Sequence, residues 1–314
     1  MRLRLSGWWT ESASLNNRLS KQLMSEEDKK LVEFVEDDTY DYIIVLGRLK
    51  DGLNIKDKSK VIFFSQEPLW SPNETRNPSQ FAHHSVIADK RVYENPDDLE
   101  ETLLPMFYAG HNETHSSVEY DWSYNLRYQD NSNKTKNISY IVRKDYCSHW
   151  NSYVNKDVCK LLYQNRTDLA TKISLELPSI TIGGINWQNN DANILGNIWN
   201  KRVALNEYRF SICVENTIQK NYVSEKFWDA VLIDTVPIYI GSNNISEYVP
   251  SDSFINLTPY ADDLDILVKK ISQIDENAFD LYQKYKPKIK VLKEMFFTDK
   301  RFNLWLKIKD IIGL

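Results

Sequence analysis

Residues 208–241 read YRFSICVENTIQKNYVSEKFWDAVLIDTVPIYIG. Arg209 to Val214 is a β-branched and aromatic run that predicts a strand, and it passes directly into a polar loop from Glu215 to Val223. Ser224 is a good N-cap, and Glu225 to Asp234 place Phe227, Val231 and Leu232 at helical spacing. Val236 to Ile240 is a continuous apolar run closed by Gly241, the pattern of a strand buried on both faces. Strand, loop, helix and strand make a βαβ unit of a parallel sheet.

A right-handed βαβ unit leaves its loop at the carboxyl edge of the sheet, beside the first turn of the helix. Free backbone N–H groups and the helix dipole favour an anion there. Lys226 sits in that first turn, where a cation is unfavourable unless a negative ligand lies between it and the helix, and the guest implied is a diphosphate. Glu225, Asn216 and Tyr222 would supply hydrogen bonds to neutral parts of the same ligand, such as sugar hydroxyls. An ordinary Ser-Glu-Lys helix start is the other reading of these residues.

The order of features is what singles the stretch out. Apolar-Glu-Asn at Val214 to Asn216 is followed by Tyr222-Val-Ser-Glu-Lys226, a helix, and Val236-Pro-Ile-Tyr-Ile-Gly241. This combination resembles glycosyltransferase family 10, the α-1,3/4-fucosyltransferases, whose donor is GDP-fucose. The resemblance runs from about Tyr208 to Leu257 and includes Asn244-Ile-Ser-Glu-Tyr-Val-Pro250 and Asp252-Ser-Phe-Ile-Asn256.

At 314 residues and 42% apolar content the chain can build two domains, each with its own core. The formal net charge of −5 argues against nucleic acid as a partner, whereas a nucleotide site needs only local positive charge. Cys147, Cys159 and Cys213 are an odd number at unrelated spacings, which fits buried thiols in a reducing compartment. The start MRLRLSGWWT has no apolar signal core, and no run of about 18 apolar residues offers a membrane span. Animal and plant members of the resembling family carry a Golgi anchor, so the expectation is a bacterial-type, cytoplasmic enzyme. The Asn-x-Ser/Thr triplets at Asn73, Asn112 and Asn137 are expected to be chance.

In chain order, Arg2 to Ser6 predicts a strand, Leu15 to Val35 a helix that Glu26-Glu27-Asp28 divides, and Tyr42 to Leu46 and Val61 to Phe64 two buried parallel strands. Glu67 lies just past the last of these, where open α/β sheets place functional groups; a solvated loop carboxylate is the alternative. Phe64-Ser-Gln-Glu-Pro68 resembles the segment in which the family carries a catalytic glutamate. Trp70, in a Pro- and Asn-rich loop, is a candidate to stack on a sugar or to pack in the core.

His111 and His115 have helical metal-pair spacing, but nothing around them holds a helix, and His83 and His84 cannot face one side. Asp263-Leu-Asp265 has the Asp-x-Asp shape of some metal-dependent transferases, yet its acidic, helical context reads as a solvated face. Metal is therefore expected to be none, with stimulation by Mn²⁺ left open.

Polar residues 127–137 are the candidate linker, which divides the chain into 1–136, an acceptor-binding Rossmann-like domain, and 137–314, a GDP-sugar-binding one. Ile138 to Val142 predicts a strand, Asn155 to Ser174 a helix with Val158, Leu161, Leu162, Leu169 and Ile173 inward, and Ser179 to Ile182 a strand ahead of Gly183-Gly184. In the family an arginine on an early helix of this domain grips the pyrophosphate, and Arg166 matches it by position; an exposed helix arginine is the alternative. From Leu281 the tail is basic and aromatic, a face for an anionic membrane carrying lipid-linked acceptors or a helix packed back on the protein.

The resemblance implies the GT-B architecture, two Rossmann-like α/β domains facing a cleft, and transfer with inversion from GDP-fucose to an oligosaccharide or lipid-linked glycan. Glu67 would be the general base; Lys226, Arg166 and the helix N-terminus would stabilise departing GDP; Glu225 would hold the fucose; Asn216 and Tyr222 would orient the donor. A same-fold transferase with another GDP-sugar and a non-catalytic sugar-binding protein are the competing readings.

Overall fold

The computed structural model describes residues 1–7, 12–47, 55–65, 78–87, 97, 99–101, 124–144, 160–184, 186–187, 193–196, 198 and 201–314. The chain divides into two compact units, Met1–Ser116 with Phe297–Leu314, and Ser117–Phe296. The internal division falls at 116/117 rather than at the 136/137 expected from sequence, and the last residues, Phe297–Leu314, group with the first unit.

In the first unit, β1 (Arg2–Gly7), β2 (Glu33–Phe34), β3 (Tyr42–Leu46), β4 (Val61–Phe64), β5 (His84–Ile87) and β6 (Glu100–Glu101) form one sheet in the order β2-β1-β3-β4-β5-β6. Every pairing is parallel. All four residues of β4 are buried, as a strand covered on both faces requires. Helix α1 (Ser12–Leu23) buries Leu15, Leu19 and Leu23.

The helix expected to reach Val35 stops much earlier. Ser25 starts a separate turn, α2 (Glu26–Lys29), with a capping box: the Ser25 Oγ accepts from the Asp28 N–H at 3.1 Å, and the Asp28 carboxylate accepts from the Ser25 N–H at 3.4 Å. Beyond it Leu31 is exposed, and Glu33 and Val35 donate their N–H groups to the carbonyls of Met1 and Leu3. Edge pairing with β1 wins over helical periodicity there.

The second unit holds β7 (Lys136–Ile141), β8 (Lys160–Leu161), β9 (Thr181–Gly183), β10 (Tyr208–Val214), β11 (Thr217–Ile218), β12 (Val236–Ile240) and β13 (Ile255–Asn256). Five of these strands make a parallel sheet in the order β13-β12-β10-β7-β9, and β8 pairs antiparallel with β11. Counted within each sheet in chain order, both sheets contain the sequence 2-1-3-4-5. The order reverses between β1 and β3 in one and between β7 and β10 in the other, and ligands of doubly wound sheets bind outside the carboxyl ends at that switch point.

The helices of this unit are α3 (Tyr163–Glu176), α4 (Lys201–Leu205), α5 (Glu225–Leu232), α6 (Leu264–Glu276) and most of α7 (Ala278–Thr298). The helix predicted from Asn155 is shorter than its periodicity implies: Lys160 and Leu161 are drawn into pairing with Ile218 and Thr217, and α3 begins after them with Leu162, Leu169 and Ile173 buried. Residues 155–159 lie outside the described ones. The segment read as a linker is anchored, since the Arg127 guanidinium pairs with Glu294 and Lys134 is buried.

Cations of the basic tail are paired with carboxylates, most of them at the surface, and among these cations only Lys293 and Lys307 are buried. Lys288 pairs with Asp252, Lys290 with Asp130, Lys293 with Asp234, Lys300 with Asp310 and Arg301 with Asp299. Phe296, Phe297, Phe302 and Trp305 are buried. The last helix, α8 (Leu304–Ile312), belongs to the first unit, where Lys307 pairs with Glu100 and Lys309 with Asp28. Among the described residues no helix is long and apolar enough to cross a membrane. Asn137 is partly buried, its side-chain amide donating to Asp275 and its carbonyl accepting from Arg209.

Candidate functional site

The loop after β10, the switch-point strand, begins with Glu215, whose carboxylate is fully buried. It accepts the Ser224 N–H at 2.7 Å on Oε1 and the Ser224 hydroxyl at 2.6 Å on Oε2. Ser224 in turn caps α5, its Oγ accepting from the Lys226 N–H at 3.3 Å. A side chain fixed to the end of β10 thus holds the start of the next helix. Burial pushes the Glu215 carboxyl up, against the opposing pull of Lys226, whose Nζ lies 3.7 Å from Oε2.

Glu225 and Lys226 form the first turn of α5. The Lys226 ammonium donates to Glu225 Oε1 at 3.0 Å and to Ser224 Oγ at 3.1 Å. Glu225 is 7% exposed and its Oε2 has no hydrogen-bond partner among the described residues. Burial pushes its carboxyl up, but the charges of Lys226 and Lys201 outweigh that and hold it below the ordinary value. A buried carboxylate with an acceptor open among the described residues, braced by a lysine at a helix N-terminus, is an arrangement that can take a further donor.

The helix itself is locked by apolar packing. Phe227 meets Trp228, Tyr239 and Phe254 edge-to-face at centroid distances of 5.2, 5.5 and 5.4 Å. The Tyr239 hydroxyl donates to the Tyr222 carbonyl at 3.3 Å and accepts from the Ser242 N–H at 2.9 Å. Gly241 makes this possible, since a Cβ there would lie 2.4 Å from the Tyr239 hydroxyl and 2.5 Å from Glu215 Cγ.

Arg166 reaches the same loop from α3. It is 5% exposed, so the reading of an exposed helix arginine is overturned, and its Nη1 donates to Asn216 Oδ1 at 2.6 Å. The cause is local pairing: Leu162 donates its N–H to the Asn216 carbonyl at 2.9 Å, and the β8–β11 ladder continues that link. The residues before α3 and after β10 are zipped together across the switch point, which carries Arg166 to Asn216.

The far side of the loop is closed by a reciprocal amide pair. Asn221, at φ +59°, donates its N–H to Asn244 Oδ1 at 2.9 Å, and the Asn244 amide donates to Asn221 Oδ1 at 2.7 Å. Asn tolerates this left-handed conformation better than most residues. Tyr222, next to it, is 3% exposed.

Of the residues singled out by sequence, Glu225 joins Lys226 and Arg166 joins Asn216, the two pairs being linked through Glu215 and Asn216 of one loop. Glu67 and Trp70 lie outside the described residues, as do His111, His115, Cys147 and Cys159. Cys213 is buried and its thiol is pushed up to about 12 by burial, which makes it inert. Asp263 caps α6, accepting from the Ile266 N–H at 3.0 Å, and Asp265 pairs with Lys172 on the surface. Among the described residues no cluster of His, Cys, Asp and Glu could hold a metal ion.

Glu215, Asn221, Asn244, Lys201 and Asp229 were not singled out for roles by sequence. A carboxylate directly after a buried strand was the available signal for Glu215, and an acidic pair at i, i+4 in an apolar helix for Asp229. Nothing local marks Lys201, which enters from a separate short helix.

Residues 158–306 match the family model described as glycosyltransferase family 10 (fucosyltransferase), C-terminal part. The chain is 42% identical over 66 residues to the alpha-(1,3)-fucosyltransferase of Helicobacter pylori, and 36% identical over 75 residues to a putative fucosyltransferase-like protein of Arabidopsis thaliana. Those stretches make up 21% and 24% of this chain and 14% of each relative, so the likeness spans a small part of their length. The fold is similar to a crystallised alpha1,3-fucosyltransferase, with a TM-score of 0.53 at 16% identity over 91% of this chain and 80% of that one. Its complex with GDP-fucose gives 0.52 at 18% identity over the same shares. Two parallel-sheet Rossmann-like units of this kind are the GT-B fold class, and residues 158–306, a little under half of the chain, are similar to the C-terminal part of glycosyltransferase family 10.

Proposed function

We propose that the chain is an inverting α-1,3-fucosyltransferase that moves L-fucose from GDP-β-L-fucose to a hydroxyl of an oligosaccharide or lipid-linked glycan. The observation that carries this reading is the buried Glu225–Lys226 pair at the N-terminus of α5, with one Glu225 oxygen open, inside the stretch that matches the family.

In this reading the diphosphate binds at Lys226, the first N–H groups of α5 and Arg166. Charge developing on the β-phosphate as GDP leaves meets preorganised cations and dipoles, so no metal is strictly required. Glu225, held ionised, faces the sugar and stabilises its oxocarbenium-like character, while Asn216 and Tyr222 orient the donor. The acceptor hydroxyl attacks the anomeric carbon from the opposite face as Glu67 takes its proton, and the glycosidic electron pair leaves with GDP. The role of Glu67 rests on the resemblance of Phe64-Ser-Gln-Glu-Pro68 to the family's catalytic segment.

The test is GDP release from GDP-fucose by the purified chain in EDTA and then with Mn²⁺, with and without N-acetyllactosamine or lactose. Release in EDTA that rises with acceptor is the expected outcome; failure to bind GDP-fucose at all would sink the donor assignment. Glu67→Gln is expected to lower turnover by about 10² to 10⁴ with donor affinity nearly intact.

A further inference from the structure

Two carboxylates, Glu225 and Asp229, stand one turn apart on α5, both buried to 7% exposure. Like charges at that spacing repel, and in a desolvated setting the repulsion is large. From α4, the Lys201 ammonium donates to Asp229 Oδ2 at 2.9 Å. Burial works against its charge, but Asp229 and then Glu225 outweigh that and hold it protonated.

Among the described residues, the charged and titratable groups around Glu225 are few. Lys226 and Asp229 lie on its own helix, Glu215 on the loop after β10 and Lys201 on α4; the Cys213 thiol, on β10, borders Lys201 and Asp229. Only two of these are cations. Lys226 holds Glu225 directly in the structure as it stands. Yet a diphosphate arriving at the helix N-terminus competes for the same ammonium, and Glu225 would then lose part of its partner when it must stay ionised.

We propose that Lys201 is a positioning residue for Glu225: anchored on Asp229, it supplies from α4 the positive charge that keeps Glu225 ionised while the donor's diphosphate engages Lys226. The proposal rests on the donor-site reading above. Asp229 is the anchor rather than the target, and burial pushes its own carboxyl up to about 6, so the anchor weakens in mild acid.

The test reads the titration midpoint of Glu225 itself in the purified full chain, from its side-chain carboxyl ¹³C shift, assigned by difference against Glu225→Gln. The measurement is made without nucleotide and again with saturating GDP. Lys201→Met is expected to raise the midpoint by about 1 pH unit, and by more with GDP bound, while Lys201→Arg holds it at the wild-type value. The acid limb of kcat moves to higher pH in the same variant, because activity is lost as pH falls through the raised midpoint. Lys201→Gln, which keeps a donor for Asp229, gives the same reading if the methionine variant does not fold.

A midpoint unchanged in both neutral variants would overturn the proposal, as would a shift that vanishes when GDP binds. Failure of wild-type chain to bind GDP would instead overturn the donor reading, leaving the nucleotide-free midpoint to decide whether Lys201 supports Glu225.

Discussion

The two ends of the second sheet each bury a cluster of charges, and the clusters are built to different standards. At the amino ends of β7, β10 and β12, the Lys134 ammonium donates to the carbonyls of Asn206 at 2.8 Å and Ile233 at 2.7 Å. Lys293 donates to the Gln129 carbonyl at 2.7 Å and pairs with Asp234 at 3.2 Å, and the Asn131 N–H adds a bond to the same carboxylate. At the carboxyl ends, among the described residues, Glu225 keeps an oxygen without a partner, and Glu215, Glu225 and Asp229 share Lys201 and Lys226. Buried charged atoms that each find a partner hold a fold together; a buried carboxylate oxygen that stops one bond short is equipped for a ligand.

That contrast can be broken from either end. The largest effect is expected from Lys293→Met, which leaves the buried Asp234 without its salt-bridge partner at a cost of about 3–5 kcal/mol in denaturant unfolding, with GDP affinity of the folded fraction unchanged. A loss of GDP binding in the folded protein would show that the two ends are not independent. Lys226→Ala is expected to do the opposite: transfer falls by about 10² to 10³ and GDP binding weakens, while stability changes little by comparison. Near-normal turnover in that variant would remove the carboxyl end from the chemistry.

Smaller effects sharpen the comparison. Asn244→Ala breaks the reciprocal amide pair with Asn221 and should destabilise by about 1–3 kcal/mol, weakening donor binding by loosening the loop; calorimetry with GDP separates the two. The smallest is a slope. Burial pushes Lys134 down to about 7, so between that pH and its unfolded value near 10.5 the unfolded chain binds the extra proton and stability rises with pH. Lys134→Met should flatten that rise relative to wild type in unfolding measured from pH 7 to 10, and an unaltered slope would refute the assignment.

The β10–α5–β12 unit is legible because its signals are local and concordant: a buried run, a serine cap, a helical apolar face and a second buried run within one short stretch. The same holds for β3 and β4. What sequence does not carry is pairing between distant segments. Lys160 and Leu161 have helical neighbours, and only Thr217 and Ile218 make them a strand. Glu33 and Phe34 continue an apparent helix until β1 supplies an edge. In the site, Glu225 and Lys226 announce themselves as helix-start residues, whereas Lys201 acquires meaning only once α4 packs against α5. Likewise Asp252, Asp130 and Asp234 lie far from the tail's lysines in sequence, and only the fold brings them opposite Lys288, Lys290 and Lys293.

The return of α8 to the first unit bears on how the protein is made. The second unit is one continuous piece of chain, Ser117–Phe296, and has all its elements as soon as that piece leaves the ribosome. The first unit begins earlier but cannot bury its apolar surface against Trp305 and Ile308 until the final helix has been synthesised. At typical rates that interval is roughly 10–40 s, during which the sheet edge at β5 and β6 lacks the Lys307 contact to Glu100. The unit begun earlier is the one completed later, which leaves it longer exposed to chaperones and to mispairing, and removing α8 should damage the sheet of the first unit before it touches the proposed donor site.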